Sequence, residues 1–427
     1  MTAQLQPEPL ETSEEPQDRD RIRRLMLFFG LVYVVEGVGQ TGGIIAQPLS
    51  YFLKEVHAFT PLQVTAFLTA FNLPWVIKPV YGLVSDFLPL LGYRRKSYLI
   101  LANVLATGAY LLVARLGMPG QLLLALLLTA YAMAISSTLC GALLVENGQR
   151  FGASGAFVNQ QWLWFNVAAM SASLTGGELI EVLPPTSALH SAALIAALAP
   201  ILVMVGTFYL VTEDKTRVNF PELKNAFRGL LAAFHARGLW IVGLYLFFYY
   251  FSPGFATPLY YHMTDTLHFS QGYIGLLGSI GSAGSIVGAL LHRWYLARMT
   301  SKRLLQLSIV LGTVTTLSFL LLIDETSAAI LNFANGIAAM IALVATLTLA
   351  ADYCPKRSEG FAFAVLMSVT NLASAASDNA GSFLYERAFG SRFAPLILVS
   401  AAFTAFAWLL IPLLRLGDKP QGQPVPG

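Results

Sequence analysis

The sequence predicts an all-α integral membrane protein, with twelve transmembrane helices arranged as two pseudo-symmetric six-helix bundles. Three observations carry this prediction. The 427 residues are 56% hydrophobic and only 11% charged, with a mean hydropathy of +0.63, whereas a soluble chain carries about 25% charged residues. Apolar runs of roughly 18–25 residues recur along the whole length, each sufficient to cross a hydrocarbon core of about 30 Å. The longest internal polar stretch, EDKTRVNFPELKNAFRGLLAAFHARG at 213–238, follows the sixth run and leaves six more behind it, the division seen in transporters built from repeats.

Taken in order, residues 1–20 are polar and acidic and lack the basic-then-apolar order of a cleavable signal peptide; they read as a disordered cytoplasmic tail. The first bundle occupies 21–212, with spans expected at 24–50, 62–85, 97–116, 120–145, 156–180 and 188–211. A linker at 213–237 precedes the second bundle at 238–416, with spans at 238–262, 271–292, 303–323, 327–350, 359–384 and 393–415; a short tail, 417–427, ends the chain. An even number of spans puts both termini on one side. Of the 26 Lys and Arg residues, Lys54, Arg115, Arg387 and Arg392 fall on the opposite side and Lys78 lies inside a span; the rest lie with the termini. The positive-inside rule makes that side cytoplasmic, and a cell (inner) membrane is the expected location.

The stretch KPVYGLVSDFLPLLGYRRKSY, Lys78 to Tyr98, concentrates charge that the rest of the chain avoids. Its core, GLVSDFLPLLGYRRK, resembles the loop between spans two and three of the major facilitator superfamily. The long spacing from Asp86 to Gly92, with Pro89 and GYRRKSY, is similar to the folate–biopterin transporter branch. LPWVIKP, FSPGFATPLYYHMTDTLHFS and YCPKRSEGFAFAVLMSVTNLASA agree with that branch. The resemblance implies the major facilitator fold, alternating access and a folate or pterin as solute, moved in symport with protons. It departs at LCGALLVENGQR, where Gly141 stands five positions before Glu146 in place of the family's acid. A muropeptide-like or nucleoside-like solute therefore stays open.

Charge at the centre of a bilayer costs roughly 2.5–3.5 kcal/mol on insertion scales, so intramembrane acids face a cavity or a partner. Glu36 lies mid-span in YVVEGVGQTGGIIAQP. On a continuous helix, Glu36, Gln40, Gly43 and Gln47 share one face, a stripe of about 16 Å. Asp378, in TNLASAASDNAGS, forms a second stripe with Asn371, Ser374 and Ser382. Both acids are candidates for proton coupling and solute binding; the alternative for each is a hydrogen-bonded acid that fixes helix packing. Gln161, Trp164 and Asn166 in NQQWLWFN combine an aromatic plane with amides and suit a flat heteroaromatic ring. Tyr250 and Tyr261 flank Pro253 and Gly254, a natural helix break and gate, and Asn332 and Asn335 in span ten are further solute-binding candidates. Lys78, Asp86, Arg94, Arg95 and Glu146 are expected to form a conformational gate on the terminus side. There Asp86 would dock on the N-terminus of span eleven, near Ser358 and Phe361, and the two arginines would meet Glu146.

Enzyme signatures are poor. The six His residues show no paired metal spacing, and SIGSAGSIVG and LTGGE lie inside apolar helices, where close packing explains their glycines. The two cysteines fit neither a disulfide framework nor a metal site. A net charge of +3, scattered over short loops, is no nucleic-acid footprint. The expectation is a monomeric carrier without cofactor or metal, whose partners are a small solute, protons and the lipid bilayer. A non-transporting receptor or assembly factor on the same fold is the alternative from another class.

Overall fold

The computed structural model describes residues 16–40, 42–151, 154–216, 237–296, 298–353 and 359–414. The outer part of the expected N-terminal tail, all of the C-terminal tail and most of the linker lie outside the described residues. So do the side chains of Asp86 and Asn159 and the whole of Cys354 to Ser358.

Among the described residues the chain is helical throughout. The first half comprises α1 (Pro16–Gly39), α2 (Ala46–Glu55), α3 (Pro61–Asn72), α4 (Lys78–Phe87), α5 (Lys96–Val113), α6 (Pro119–Phe151), α7 (Ser154–Val182) and α8 (Pro185–Leu210). The second half comprises α9 (Arg237–Tyr250), α10 (Ala256–Tyr261), α11 (Gln271–Leu291), α12 (Ser301–Ser318), α13 (Glu325–Asp352), α14 (Glu359–Phe383) and α15 (Phe393–Leu410). Helices suit a bilayer because each satisfies its own backbone groups where no water can.

Three expectations change. First, α1 begins at Pro16, inside the segment expected to be a tail; Asp20 and Arg24 pair at 2.9 Å along this extension, an i, i+4 contact that supports it. Second, span one is not continuous. Its helix stops at Gly39 and restarts at Ala46, while Gly43 lies so close to the Val38 carbonyl that no side chain would fit. The stripe from Glu36 to Gln47 is therefore cut in two. The chain compensates locally: Ile44 N donates to Val38 O at 2.9 Å, and the Tyr110 hydroxyl donates to Gly39 O. Third, span two carries a tight 3-10 turn, Leu73–Trp75, between α3 and α4, so Lys78 starts a new helix rather than continuing one.

The two halves are packed alike. α1 lies against α7 and α8, and α5 lies between α6 and α8; in the second half α9 lies against α14, and α12 between α13 and α15. The break in span one also has its counterpart, because span seven unwinds over residues 251–255, between α9 and α10. The halves meet along two seams, α7 with α11 and α3 with α14.

The described hydrogen bonds between the halves lie from mid-membrane towards the face opposite the termini, called here the distal face. On the α7/α11 seam, Ser173 donates to Gly275 O, Ser279 to Met170 O, and Gln47 Nε2 to Gln271 O at 2.8 Å. On the α3/α14 seam, Thr65 and Ser382 share a buried hydrogen bond at 2.7 Å, Asn379 donates to Thr69, and Asn371 donates to Trp75 O at 2.9 Å. At the centre Lys54 pairs with Asp265 and donates to Thr264, and its ammonium lies 5.1 Å from the Tyr261 ring. The distal face is thus closed.

Candidate functional site

The break in span one and the turn in span two bring a polar cluster together inside the first half. Glu36, on the last turns of α1, is 93% buried in an otherwise apolar neighbourhood with Tyr33 and Cys140 close by. The turn at Leu73–Trp75 aims Lys78 back at it. The Lys78 ammonium lies 4.4 Å from the Trp75 ring and donates to Ser137 Oγ of α6 at 3.2 Å. Ser137 and Lys78 are the polar groups that act on the Glu36 carboxyl, and Glu36 and Lys78 act on each other electrostatically. Oε1 of Glu36 is buried without a partner, and an unmet acceptor there is costly unless a ligand or proton supplies the missing bond. Gly141, one turn beyond Ser137, faces open space.

The second half holds the counterpart at the break in span seven. Gly254 N donates to Ser377 O at 2.9 Å, Ser377 Oγ donates back to Ser252 O, and Ser252 Oγ donates to Ser400 O at 2.8 Å. Two backbone groups that the broken helix frees, Gly254 N–H and Ser252 C=O, are therefore taken up by Ser377 of α14, and the Ser252 side chain ties the break to α15. This close approach demands glycine twice over: a methyl at Gly381 would overlap the Gly254 backbone, and one at Gly254 would overlap Asp378. Asp378 thus sits directly on the unwound segment. It lies deep in its span, yet its side chain remains exposed.

The other expected residues scatter more. Tyr250 bonds Thr346 Oγ1 at 2.8 Å, just before the break, while Tyr261 donates to Phe59 O across the halves at the distal face. Asn371 holds the Trp75 carbonyl and so ties the second half to the Lys78 turn. Gln47 belongs to the distal closure. Asn166 and Asn332 bond carbonyls of their own helices, Trp162 O and Ala328 O, each at 2.8 Å. Gln40, Gln161 and Asn335 are half-buried; Trp164, 39% exposed, lies beside Gly30 of α1.

Among the expected gate residues, Lys78 joins the Glu36 cluster. Arg95 reaches Glu146 Oε1 at 2.7 Å and Ser85 at 2.8 Å, all within the first half. The Arg94 side chain is exposed, and its backbone N–H, with those of Arg95 and Lys96, donates to the carboxylate of Glu213 at 2.9, 3.0 and 2.8 Å. Sequence reasoning missed Trp75, Ser137, Ser252, Ser377 and Glu213. Only Trp75 carried a signal, as an aromatic three residues before an intramembrane lysine.

Residues 37–416 match the BT1 family. The chain belongs to the BT1 family. This BT1 member is 29% identical over 414 residues to the folate-biopterin transporter of Synechocystis, covering 92% of its own length and 81% of that relative. It is 26% identical to a probable folate-biopterin transporter of Arabidopsis thaliana, over 86% of this chain and 77% of that one. It is 23% identical to folate transporter 2 of Plasmodium falciparum, over 89% and 87%. Among solved structures, the BT1 chain resembles the D-xylose-proton symporter (TM-score 0.70, 13% identity, 95% and 100% of the two chains covered) and the nucleoside transporter NupG (0.67, 14%, 93% and 98%). At those identities the likeness establishes the major facilitator fold and nothing finer.

Proposed function

We propose that the chain is a secondary transporter that carries a small organic solute of the folate or pterin class by alternating access, together with protons. The observation that carries this reading is the pair of interrupted helices, spans one and seven, at equivalent places in the two halves. Each has a carboxyl group beside its break. Interrupted helices in corresponding positions are where carriers built from repeats place their solute and coupling ion. In the first half, Glu36 offers an acceptor to N–H donors, Lys78 offers a cation, and Trp75 offers an aromatic face. In the second, Asp378 stands on the hinge of span seven, where a proton gained or lost changes the charge that the hinge must accommodate. The names of the relatives support a folate or pterin. The open space at Gly141 supports the alternative of a bulkier organic solute, nucleoside-like or muropeptide-like. The termini face the cytoplasm in this reading, and the carrier works as a monomer.

The test is a thermal-shift screen of purified protein against folates, pterins, nucleosides and amino-sugar compounds, followed by proteoliposome uptake of any hit with and without a pH gradient. Saturable uptake of a folate or pterin, faster with the gradient, is expected. Absence of flux for every compound, with stable binding of a protein partner instead, would establish the receptor reading.

A further inference from the structure

Two carboxylates at the distal face stand where electrostatics disfavours them. Glu181 lies in the last turn of α7, and Glu386 lies in the turn Leu384–Ala388 that ends the α14 span. A helix C-terminus carries partial negative charge, so an acid there is disfavoured by the backbone of its own helix, although Glu386 also has Arg387 beside it at 3.5 Å. Each is compensated across the seam. Glu181 Oε2 accepts from Gly272 N, near the start of α11, at 3.0 Å; Glu386 Oε2 accepts from Leu62 N, near the start of α3, at 3.2 Å.

The two contacts match in detail. α3 and α11 each begin with a hydroxyl N-cap, Thr60 and Ser270, whose side chain accepts from the third helical residue, Gln63 N and Tyr273 N. In both helices the N–H of the second residue goes instead to a glutamate of the other half. For α3 the accounting is complete: Gln63 takes the Thr60 N–H at 2.9 Å, Pro61 has none, Thr60 takes that of Gln63, and Glu386 takes the one that remains. Spans five and eleven occupy equivalent places in the two halves, as do spans two and eight, so the contacts are related by the pseudo-symmetry.

We propose that Glu181 and Glu386 are twin gate clasps, one per seam, that hold the distal face closed and release when it opens. The inference rests on the alternating-access reading and adds to it residues that neither the expected sites nor the BT1 match identifies. A charged acceptor on an unsatisfied helix N-terminus is a strong contact that exists only while the two span ends touch. It therefore stabilises one conformation and not the other, which is what biases a two-state equilibrium.

The experiment is double electron–electron resonance in lipid nanodiscs, on otherwise cysteine-free protein. One spin-label pair sits on the distal face (Val182→Cys with Ile323→Cys) and one on the terminus face (Tyr209→Cys with Tyr295→Cys). Glu181→Ala and Glu386→Ala should each raise the ratio of long to short distal distances about tenfold, the change that about 1.4 kcal/mol makes in an equilibrium constant. Together they should raise it about a hundredfold, since contacts on separate seams add. The terminus-face pair should shorten in step. Unchanged distal distances in the double variant would overturn the proposal. Broadening of both pairs together would also overturn it. Uptake of a folate by a double variant with static distances would sink the clasps and leave the transport reading standing. Moving distances without flux of any solute would do the reverse.

Discussion

Glu36 and Lys78 form a pair whose energetics can be isolated by a double-mutant cycle. In Lys78→Met the buried Glu36 charge loses its only described cationic neighbour, with Oε1 already lacking a partner. In Glu36→Gln the Lys78 ammonium keeps the Ser137 hydroxyl at 3.2 Å and the Trp75 face at 4.4 Å. A neutral hydrogen bond contributes about 1 kcal/mol net and a desolvated cation–π contact about 2. Neither offsets the several kcal/mol needed to keep a lone ion out of water. A lone buried carboxyl or amine sheds its charge by gaining or losing a proton, so each single variant should lose about 1–3 kcal/mol, while Glu36→Gln/Lys78→Met, which removes both charges, should lie within about 1 kcal/mol of the native protein. The assay is denaturant unfolding in mixed micelles, with gradient-driven uptake and solute exchange measured on the same samples. Restored stability without restored uptake would assign the pair to transport. If the two single losses simply add in the double variant, to within about 0.5 kcal/mol, the charges are not coupled and the argument fails.

Three further outcomes are expected. Gly381→Ala puts a methyl against the Gly254 backbone, with Gly254 N and C at 2.7 Å. Overpacking of about 1–3 kcal/mol, plus strain on the Gly254–Ser377 hydrogen bond, should lower the melting temperature in detergent and abolish uptake; an unchanged melting temperature would mean that the helices separate freely. Glu213→Ala removes the acceptor of three successive backbone N–H groups, so the amides of Arg94, Arg95 and Lys96 should exchange faster with deuterium by mass spectrometry. Asp324, exposed in the loop before α13, accepts from Ser327 N at 2.7 Å, and that hydrogen bond holds its carboxyl below the usual carboxylate range. A depressed value means that the stabilisation is present above the unfolded-state value of about 3.9 and is lost as pH falls through the lower folded one. Protection of the Ser327 amide should therefore be constant from neutral pH down to about pH 4 and vanish below it. Asp324→Asn should remove that acid transition.

The span boundaries were legible because they are local. Span eleven, expected at 359–384, is α14 at Glu359–Phe383, and span eight, expected at 271–292, is α11 at Gln271–Leu291. The acids were legible for a related reason: a carboxylate in an apolar run is conspicuous wherever it lies. The partners were not. Nothing around Glu36 names Lys78 and Ser137, which lie 42 and 101 positions away. The Gly-rich run at Gly42–Gly43 could be read as helix because small residues inside spans usually serve packing. The charged loop invited a latch across the halves, yet its described side-chain ion pair, Arg95 with Glu146, closes within one half. The docking expected of Asp86 falls outside the described residues, while helix-terminus capping across the halves is made at the distal face by Glu181 and Glu386. No local pattern distinguishes those residues from ordinary loop acids.

Composition and hydrophobic run length were enough to establish a twelve-span, two-half membrane protein, because a bilayer obliges each apolar run to satisfy its backbone within itself. Where the helices interrupt, which charge answers Glu36 and which ends meet at the distal face depend on contacts between residues far apart in the chain. Those contacts are chosen by how whole helices pack, and only the tertiary structure decided them.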